Sequence, residues 1–590
     1  MKNATLLFLL GFLSMNTNAQ LIYRVSFPEA NKHYVHVEIE LPKKLIQDKD
    51  SCILKVPVWT PGSYKVREFS RNLDRISAKK NKSEETVTRL NKNSWRISNS
   101  SKGDLVISYD IYAFEYGVRE SYVDDEMAFL HGVSTFAYIE GYADQSIKLY
   151  CDIPSEWKAY SSMDPGSDKN FFTAENYDLL VDSPIAFGDF ETAEYESGGT
   201  PHTVVMIGRG NYDLERVQRD FKKISDTQVD VFGGKHPSPR YVHFIQHTDQ
   251  GGGGLEHLNS QTSQVNRFVY SDEEKYKKFL GLISHEYFHL WNVKRIRPIE
   301  LGPFDYDQEV YTDMLWIAEG ITSYYDDLIL KRAGLHTEES YLKEVAFNIN
   351  RLENLKGNQY MSLAESSKTA WVKAYLPNEN SKNVTVSYYN KGMVVALLLD
   401  QLIKETTRGN KSMDDLLRNL YYKYYLTEKR GFTHREFIKT CEELVDLKLD
   451  YFFDDYVFGT KKIDYSKVLY CYGLTLEDEQ KTKVYSGIST KFESGKLIVT
   501  SVEFDSPGVE AGISANDEIV AVEGWQVGND LESDLARFSA GQTVSITGFR
   551  KGKMYTRQLT LEANPKVNYT LKRSADMTEL QKLNLGAWLN

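Results

Sequence analysis

The chain has 590 residues, 41% of them hydrophobic and 26% charged, which is an ordinary globular composition with room for about three to five domains. Its net charge of −12 is spread along the sequence with no basic stripe, which argues against nucleic acid as a partner. The cysteines Cys52, Cys151, Cys441 and Cys471 number only four and none sits at C-x-x-C spacing, so a disulfide framework is excluded, although one or two bridges stay open.

The N-terminus reads as an export signal. Lys2 gives the positive start, Leu6 to Leu13 the short apolar run, and Ala19 the cleavage residue. The protein is therefore expected to be exported, periplasmic or secreted. No later run is long enough to cross a bilayer, so no membrane span is expected once the signal is removed.

From residue 20 to about 195 the text is strand-like. Tyr34 to Leu41 and Asp104 to Ile111 alternate with period two, the pattern of half-buried strands. Within this region Trp59-Thr60-Pro61-Gly62-Ser63-Tyr64 is an unusual aromatic turn. It is either a tight turn braced by two rings or a loop that leans over a cleft.

Mixed patterning follows. Val204 to Gly208 and Tyr241 to Ile245 read as strands and Arg216 to Val231 as a helix. Gly251-Gly252-Gly253-Gly254-Leu255-Glu256-His257 comes next. Four glycines after a strand allow a sharp turn or close backbone approach to a ligand. The residues of a phosphate-binding P-loop are missing.

Ser271 and Glu274 are expected to cap the next helix as a box, and Pro298 to mark its end. That helix carries Ser284-His285-Glu286-Tyr287-Phe288-His289-Leu290-Trp291-Asn292. Its H-E-x-x-H puts two imidazoles one turn apart on one face, able to reach one ion. The glutamate lies close enough to take a proton from water. Further helices are expected near Thr312 to Lys331, with Gly334 past its end, near Tyr389 to Ile403, and from Ser412. Glu319 falls within the first of these, in apolar surroundings where an unpaired carboxylate would be costly. It is either a third metal ligand or the partner of Arg295 or Arg297. Short strands return from about 470 to 562, and the tail carries a short helix from Ala575 to Leu585.

Several of these stretches resemble gluzincin metallopeptidases. His285 to Trp291 extends to H-E-x-x-H-x-W as in the aminopeptidase N family, and Trp316 to Gly320 resembles that family's W-x-x-E-G helix. Tyr389-Asn390-Lys391-Gly392 is similar to its Y-x-K-G element, and Gly253 to His257 stands where its G-x-M-E-N loop would be, with Leu255 and His257 as departures. Trp59 to Tyr64, His285 to Pro298 and Trp316 to Tyr325 together resemble the glycyl aminopeptidase family more closely. That resemblance implies a multidomain α+β protein. Its parts would be a β-sandwich-like domain at 20–195, a thermolysin-like, mostly helical catalytic domain at 196–468, a PDZ domain at 469–562 and a tail at 563–590, after a signal at 1–19.

The resemblance also implies roles. His285, His289 and Glu319 would hold one zinc ion per chain. Glu286 would be the general base and Tyr389, or adjacent Tyr388, the donor to the oxyanion. Glu256, with Gly253 and Gly254, would hold the free amine of a peptide. Tyr485-Ser486-Gly487-Ile488 would be a PDZ loop for peptide C-termini, or the PDZ fold would serve only in packing. The expected activity is a zinc aminopeptidase acting on small N-terminal residues such as glycine or alanine. The alternatives are a zinc endopeptidase and a PDZ adaptor with a silent peptidase fold.

Overall fold

The structure, a computed structural model, describes residues 20–99, 103–166, 170–480 and 484–589. The export segment expected at 1–19 lies outside the described residues. The chain divides into two compact units, and two short segments of the N-terminal region, Val58–Arg67 and Gly117–Arg119, belong to the second.

The first unit is β-rich, with an eight-stranded sheet and two of four strands. Its period-two text becomes strands with one apolar face. Tyr34–Leu41 pairs antiparallel with Leu21–Glu29, Val37 opposite Val25, and with Leu105–Tyr112, Ile39 opposite Ile107. Val35, Val37, Ile39 and Leu41 are fully buried while the residues between them are partly exposed, as the pleat requires. Buried Tyr23 and Tyr109 place their hydroxyls on the backbone carbonyls of Ala137 and Thr135, so neither ring carries an unsatisfied polar end.

The second unit opens with a five-stranded sheet in the order Glu191–Ser197, Thr200–Ile207, Tyr241–Thr248, Ser260–Asn266, Gly253–Glu256. The three central strands are parallel and the Leu214–Val231 helix makes the crossover between the first two. Gly253–Glu256 pairs antiparallel with Ser260–Asn266 at the sheet's edge. The glycine run is therefore a strand from Gly253 onward, and only Gly251 and Gly252 are left to turn the chain.

The Glu273–Phe288 helix is capped by Asp272, whose carboxylate accepts from the backbone N–H of Glu274 and Lys275. The box expected of Ser271 and Glu274 does not form, because an acid one residue later satisfies the same orphan donors. The helix also ends well before Pro298. After a short 3-10 turn at Ile299–Leu301, the helical chain resumes at Trp316 with one π-helical turn to Gly320 and continues as Ile321–Arg332. Helices Glu338–Glu353, Asn390–Thr406, Met413–Leu420 and His434–Val445 are the longer ones that follow in this region, with Ser412 and Asp415 forming the capping box of Met413–Leu420.

Toward the C-terminus, a six-stranded sheet runs Ile488–Glu493, Lys496–Val502, Glu518–Val522, Thr543–Arg550, Lys553–Thr560, with Trp525–Gln526 beside the third. It encloses its own core of Val499, Ile519, Val522, Ile546 and Leu559. Asn383, on the catalytic side, ties this sheet down: its amide donates to Val502 O at 2.9 Å and accepts from Phe504 N at 2.9 Å. The tail helix spans Glu579–Leu589 rather than 575–585. It starts later because Thr578 provides the cap, accepting from Gln581 N. Its Trp588 is fully buried and donates to Tyr324 Oη at 3.0 Å, joining the tail to the helix that follows Glu319.

Candidate active site

Three glycine contacts set the backbone of the site. Gly320, just after Glu319, packs on Gly392, and a Cβ on either would fall within 2.8 Å of the other's Cα. That approach brings the start of the Asn390–Thr406 helix, and with it Tyr389, against the Glu319 turn. Gly254 touches Glu286: a Cβ there would lie 2.2 Å from Oε1. Gly62, at φ +83°, sits on Glu256, where a Cβ would meet both carboxylate oxygens at 2.5 and 2.6 Å. Both readings of the Trp59–Tyr64 turn therefore hold. It is braced, with Trp59 Nε1 donating to Asp305 O at 2.7 Å and packing edge-on to Trp371, and its tip lies over Glu256.

His285 and His289 present nearly perpendicular rings with centroids 4.8 Å apart. The Nε2 atoms of His285 and His289 lie 3.4 and 3.3 Å from Glu319 Oε2. A regular tetrahedron with metal–ligand distances of about 2.0–2.1 Å has edges of about 3.3–3.4 Å, so these separations suit zinc. Glu319 Oε2 is buried without a hydrogen-bond partner, a position that a cation would relieve. Arg295, the alternative partner for Glu319, instead donates to Leu258 O, Leu290 O and Ser238 Oγ.

A second tier of groups orients the donors. His289 Nδ1 lies 2.6 Å from Asn292 O, which fixes its proton there and leaves Nε2 as the free lone pair. His285 Nδ1 faces Asp326 Oδ2 at 3.4 Å. Asn292 donates to Ile317 O at 2.8 Å and Thr322 Oγ1 at 3.1 Å, clamping the histidine segment to the Glu319 turn. Neither Asp326 nor Asn292 was singled out as a site residue by sequence reasoning. The available signal was spacing: Asp326 stands two helical turns after Glu319, on its face.

Burial pushes the Glu286 carboxyl up to about 7, against the pull of His285 and His289. Burial would raise Glu319 too, but the two imidazoles outweigh it and hold the group below the usual carboxylate range. Burial would depress His285, yet the facing carboxylates of Asp326 and Glu319 leave it raised. Burial, reinforced by Glu319, keeps the Tyr389 hydroxyl protonated well above its ordinary range.

A cavity of 410 Å³ gathers Glu256, His285, Glu286, His289, Glu319 and Tyr389, along with Gly253 and Gly254. Tyr389 stacks on His285 with centroids 6.2 Å apart. Tyr388 packs behind it at 4.7 Å and is not among the lining residues. Glu256 is 4% exposed, and its carboxylate lies within 4.8 Å of donor atoms on Glu286 and His289.

The PDZ-type loop lies in a different cavity, of 260 Å³, lined by Tyr485, Ser486, Gly487 and Ile488 with Leu535 and Lys566 among others. Ser486 O accepts from Gly508 N and Gly487 O from Glu503 N, both at 2.8 Å. Cys52, Cys151, Cys441 and Cys471 are all free thiols.

Two histidines and a glutamate on neighbouring helices beside a mixed sheet, with a glutamate against the same donors, are the set that a zinc metallopeptidase centre requires. Comparison with known families agrees. The M61 glycyl aminopeptidase profile matches residues 278–395, the M61 N-terminal domain profile 22–189 and a PDZ domain profile 484–561. An aminopeptidase N family protein from Idiomarina loihiensis has a solved structure that is 30% identical. It superposes with a TM-score of 0.90 over 97% of this chain and 100% of its own. The chain belongs to the M61 glycyl aminopeptidase family, and it is a zinc metallopeptidase of the aminopeptidase class. An M1 zinc metallopeptidase from Deinococcus radiodurans matches at 11% identity and a TM-score of 0.48, over 76% of this chain and 95% of its own. Native yeast LTA4 hydrolase matches at 15% and 0.46, over 76% and 68%. No curated protein sequence matches the chain.

Proposed function

We propose that the chain is an exported aminopeptidase that removes small N-terminal residues, glycine or alanine, from peptides. The observation that carries the reading is Glu256. It is a nearly fully buried carboxylate with no side-chain hydrogen bond among the described residues, adjoining Glu286 and His289 and open to the cavity. Such a group is costly until a cation pairs with it, and a peptide's α-ammonium is the cation that would bring a terminal residue to this point. The family assignment supports the preference for small residues.

His285, His289 and Glu319 are the residues that would hold one zinc ion. Bound there, zinc supplies a Lewis acid that polarises a carbonyl and acidifies water. Glu286, with a carboxyl shifted toward neutrality by burial, takes the proton of the attacking water and passes it to the leaving nitrogen. Tyr389 donates a hydrogen bond to the oxygen on which charge develops. Asp326 and the Asn292 carbonyl hold the two imidazoles in the tautomer that leaves Nε2 free.

Export is supported by the signal pattern from Lys2 to Ala19, and among the described residues no helix is long and apolar enough to cross a membrane. The domain limits that fit this reading are 20–195, 196–468, 469–562 and 563–590. The Tyr485–Ile488 loop would take peptide C-termini by strand addition along Ile488–Glu493.

Glycyl and alanyl chromogenic amides, compared with N-acetylated peptides, test the proposal. Wild type should cleave the free-amine substrates and spare the blocked ones, and Glu286→Gln should lose about 10²–10⁴ in kcat. Equal cleavage of blocked peptides would remove the aminopeptidase reading and favour an endopeptidase.

A further inference from the structure

Several charged groups lining the cavity have no part in this chemistry, and Arg119 is the cation among them beside the Gly253–Glu256 strand. Arg119 lines the cavity together with Gly62, Gly254 and Glu256. Its Nη2 donates to Gly254 O at 3.1 Å, and its Nε is buried with no hydrogen-bond partner. It forms no ion pair among the described residues. A guanidinium presents five donors in a planar fork that matches a carboxylate. Here one donor is fixed on the backbone of the edge strand, so the fork is held in place at the cavity wall.

The direction of a substrate follows from two contacts. Glu256, near the end of the edge strand, is the proposed holder of the α-amine. Gly254, two residues back, lies against Glu286. A peptide therefore runs from Glu256 toward Gly254, with its scissile bond beside Glu286 and the metal ligands. Two residues of strand span about 6.6–6.8 Å. An extended dipeptide separates its amine from its carboxylate by about the same length, which brings that carboxylate to the carbonyl where Arg119 is anchored. The other permanent cations lining the cavity, Lys277 and Lys278, lie seven to eight residues before His285, about 10–12 Å away along the helix axis. They are out of reach of so short a chain.

We infer that Arg119 reads the free C-terminal carboxylate of the substrate, so that this site selects dipeptides over longer or C-terminally blocked peptides. The inference rests on the reading of Glu256 as the amine holder. A tripeptide carries its carboxylate about 3.4 Å farther along the strand and loses the pairing.

The test uses the full-length zinc enzyme with Gly-Leu, its C-terminal amide and acetyl-Gly-Leu. Wild type should favour the free acid over the amide by about 10–100-fold in kcat/KM, carried mainly by KM, as expected of a charge-assisted hydrogen bond. Arg119→Gln should bring that ratio close to one. Arg119→Met, read the same way, serves if the glutamine variant folds poorly. Calorimetry of Gly-Leu on Glu286→Gln enzyme, with and without Arg119→Gln, should show the same loss in affinity without turnover. An acid-to-amide ratio that survives in both Arg119 variants, or is lost instead in Lys278→Gln, overturns the inference. Cleavage of acetyl-Gly-Leu as fast as Gly-Leu would instead remove the amine reading on which it rests.

Discussion

Both surfaces suited to an extended peptide are edge strands, Gly253–Glu256 in the peptidase sheet and Ile488–Glu493 in the PDZ sheet. They differ in how their polar groups are satisfied. Around the PDZ loop the carbonyls of Ser486 and Gly487 are occupied by backbone donors, and Glu503 pairs with Lys566 at 2.5 Å. Around the peptidase strand, Glu319 Oε2 and Arg119 Nε are buried without hydrogen-bond partners, and the Glu256 carboxylate makes no hydrogen bond among the described residues. Unmade hydrogen bonds to buried charged groups cost several kcal/mol. The buried atoms without hydrogen-bond partners near the PDZ loop are hydroxyls, Ser501 Oγ and Ser506 Oγ, whereas Glu319 and Arg119 are charged groups, so the difference singles out the peptidase edge as the one where a metal or a charged substrate would complete the set.

The largest expected effect comes from emptying the unsatisfied set. Glu319→Ala removes the oxygen shared by both imidazoles, and zinc affinity should fall by more than about 100-fold, measured by competition with a chromogenic chelator. Retention of wild-type zinc affinity would show that the His285, His289 and Glu319 separations do not describe a metal site.

A smaller effect is expected from a methyl group. Gly254→Ala would place its Cβ 2.2 Å from Glu286 Oε1, and that carboxylate must move. Displacing a catalytic group by about 1 Å can cost about 10² in rate. The variant should therefore keep its zinc, read by metal analysis, and lose about 100-fold in kcat on a glycyl amide. Unchanged kcat would mean that the proton-transfer role lies elsewhere.

The site was legible in the sequence where its residues are neighbours on one element. His285, Glu286 and His289 stand within one turn, and Glu319 and Tyr389 sit in short stretches with recognisable surroundings. Glu256 was visible beside the glycine run, but the run's conformation was not. Glycine composition speaks for a turn, and only pairing with Ser260–Asn266 makes it a strand. Arg119 had no signal at all, because a loop of the N-terminal region delivers it to Gly254, 135 positions away. The tail was unreadable for the same reason. Its helix could be expected, but Trp588 reaches Tyr324 across 264 positions, and no local pattern encodes that contact. The β-rich first unit was the reverse case, since its strands are specified by period-two burial that each segment carries by itself.

The smallest expected effect on turnover sharpens the contrast between the two edges. Gly487, at φ +71°, has a Cβ position 2.2 Å from Ser506 Cβ. Gly487→Ala is therefore as crowded as Gly254→Ala and is strained in backbone besides. Its clash is with a packed side chain of the PDZ loop and not with a charged group awaiting a partner. The cost should appear as stability, about 1–3 kcal/mol of overpacking and strain, seen as a lower midpoint for the PDZ transition in thermal unfolding. The kcat on a chromogenic glycyl amide should stay within about two-fold of wild type. Asn383 joins the two regions through Val502 and Phe504, only a few residues before Tyr389. A kcat that falls along with the midpoint would therefore mean that the loop and Tyr389, the proposed oxyanion donor, move together, and the separation between the charged edge and the PDZ edge would fail at that link.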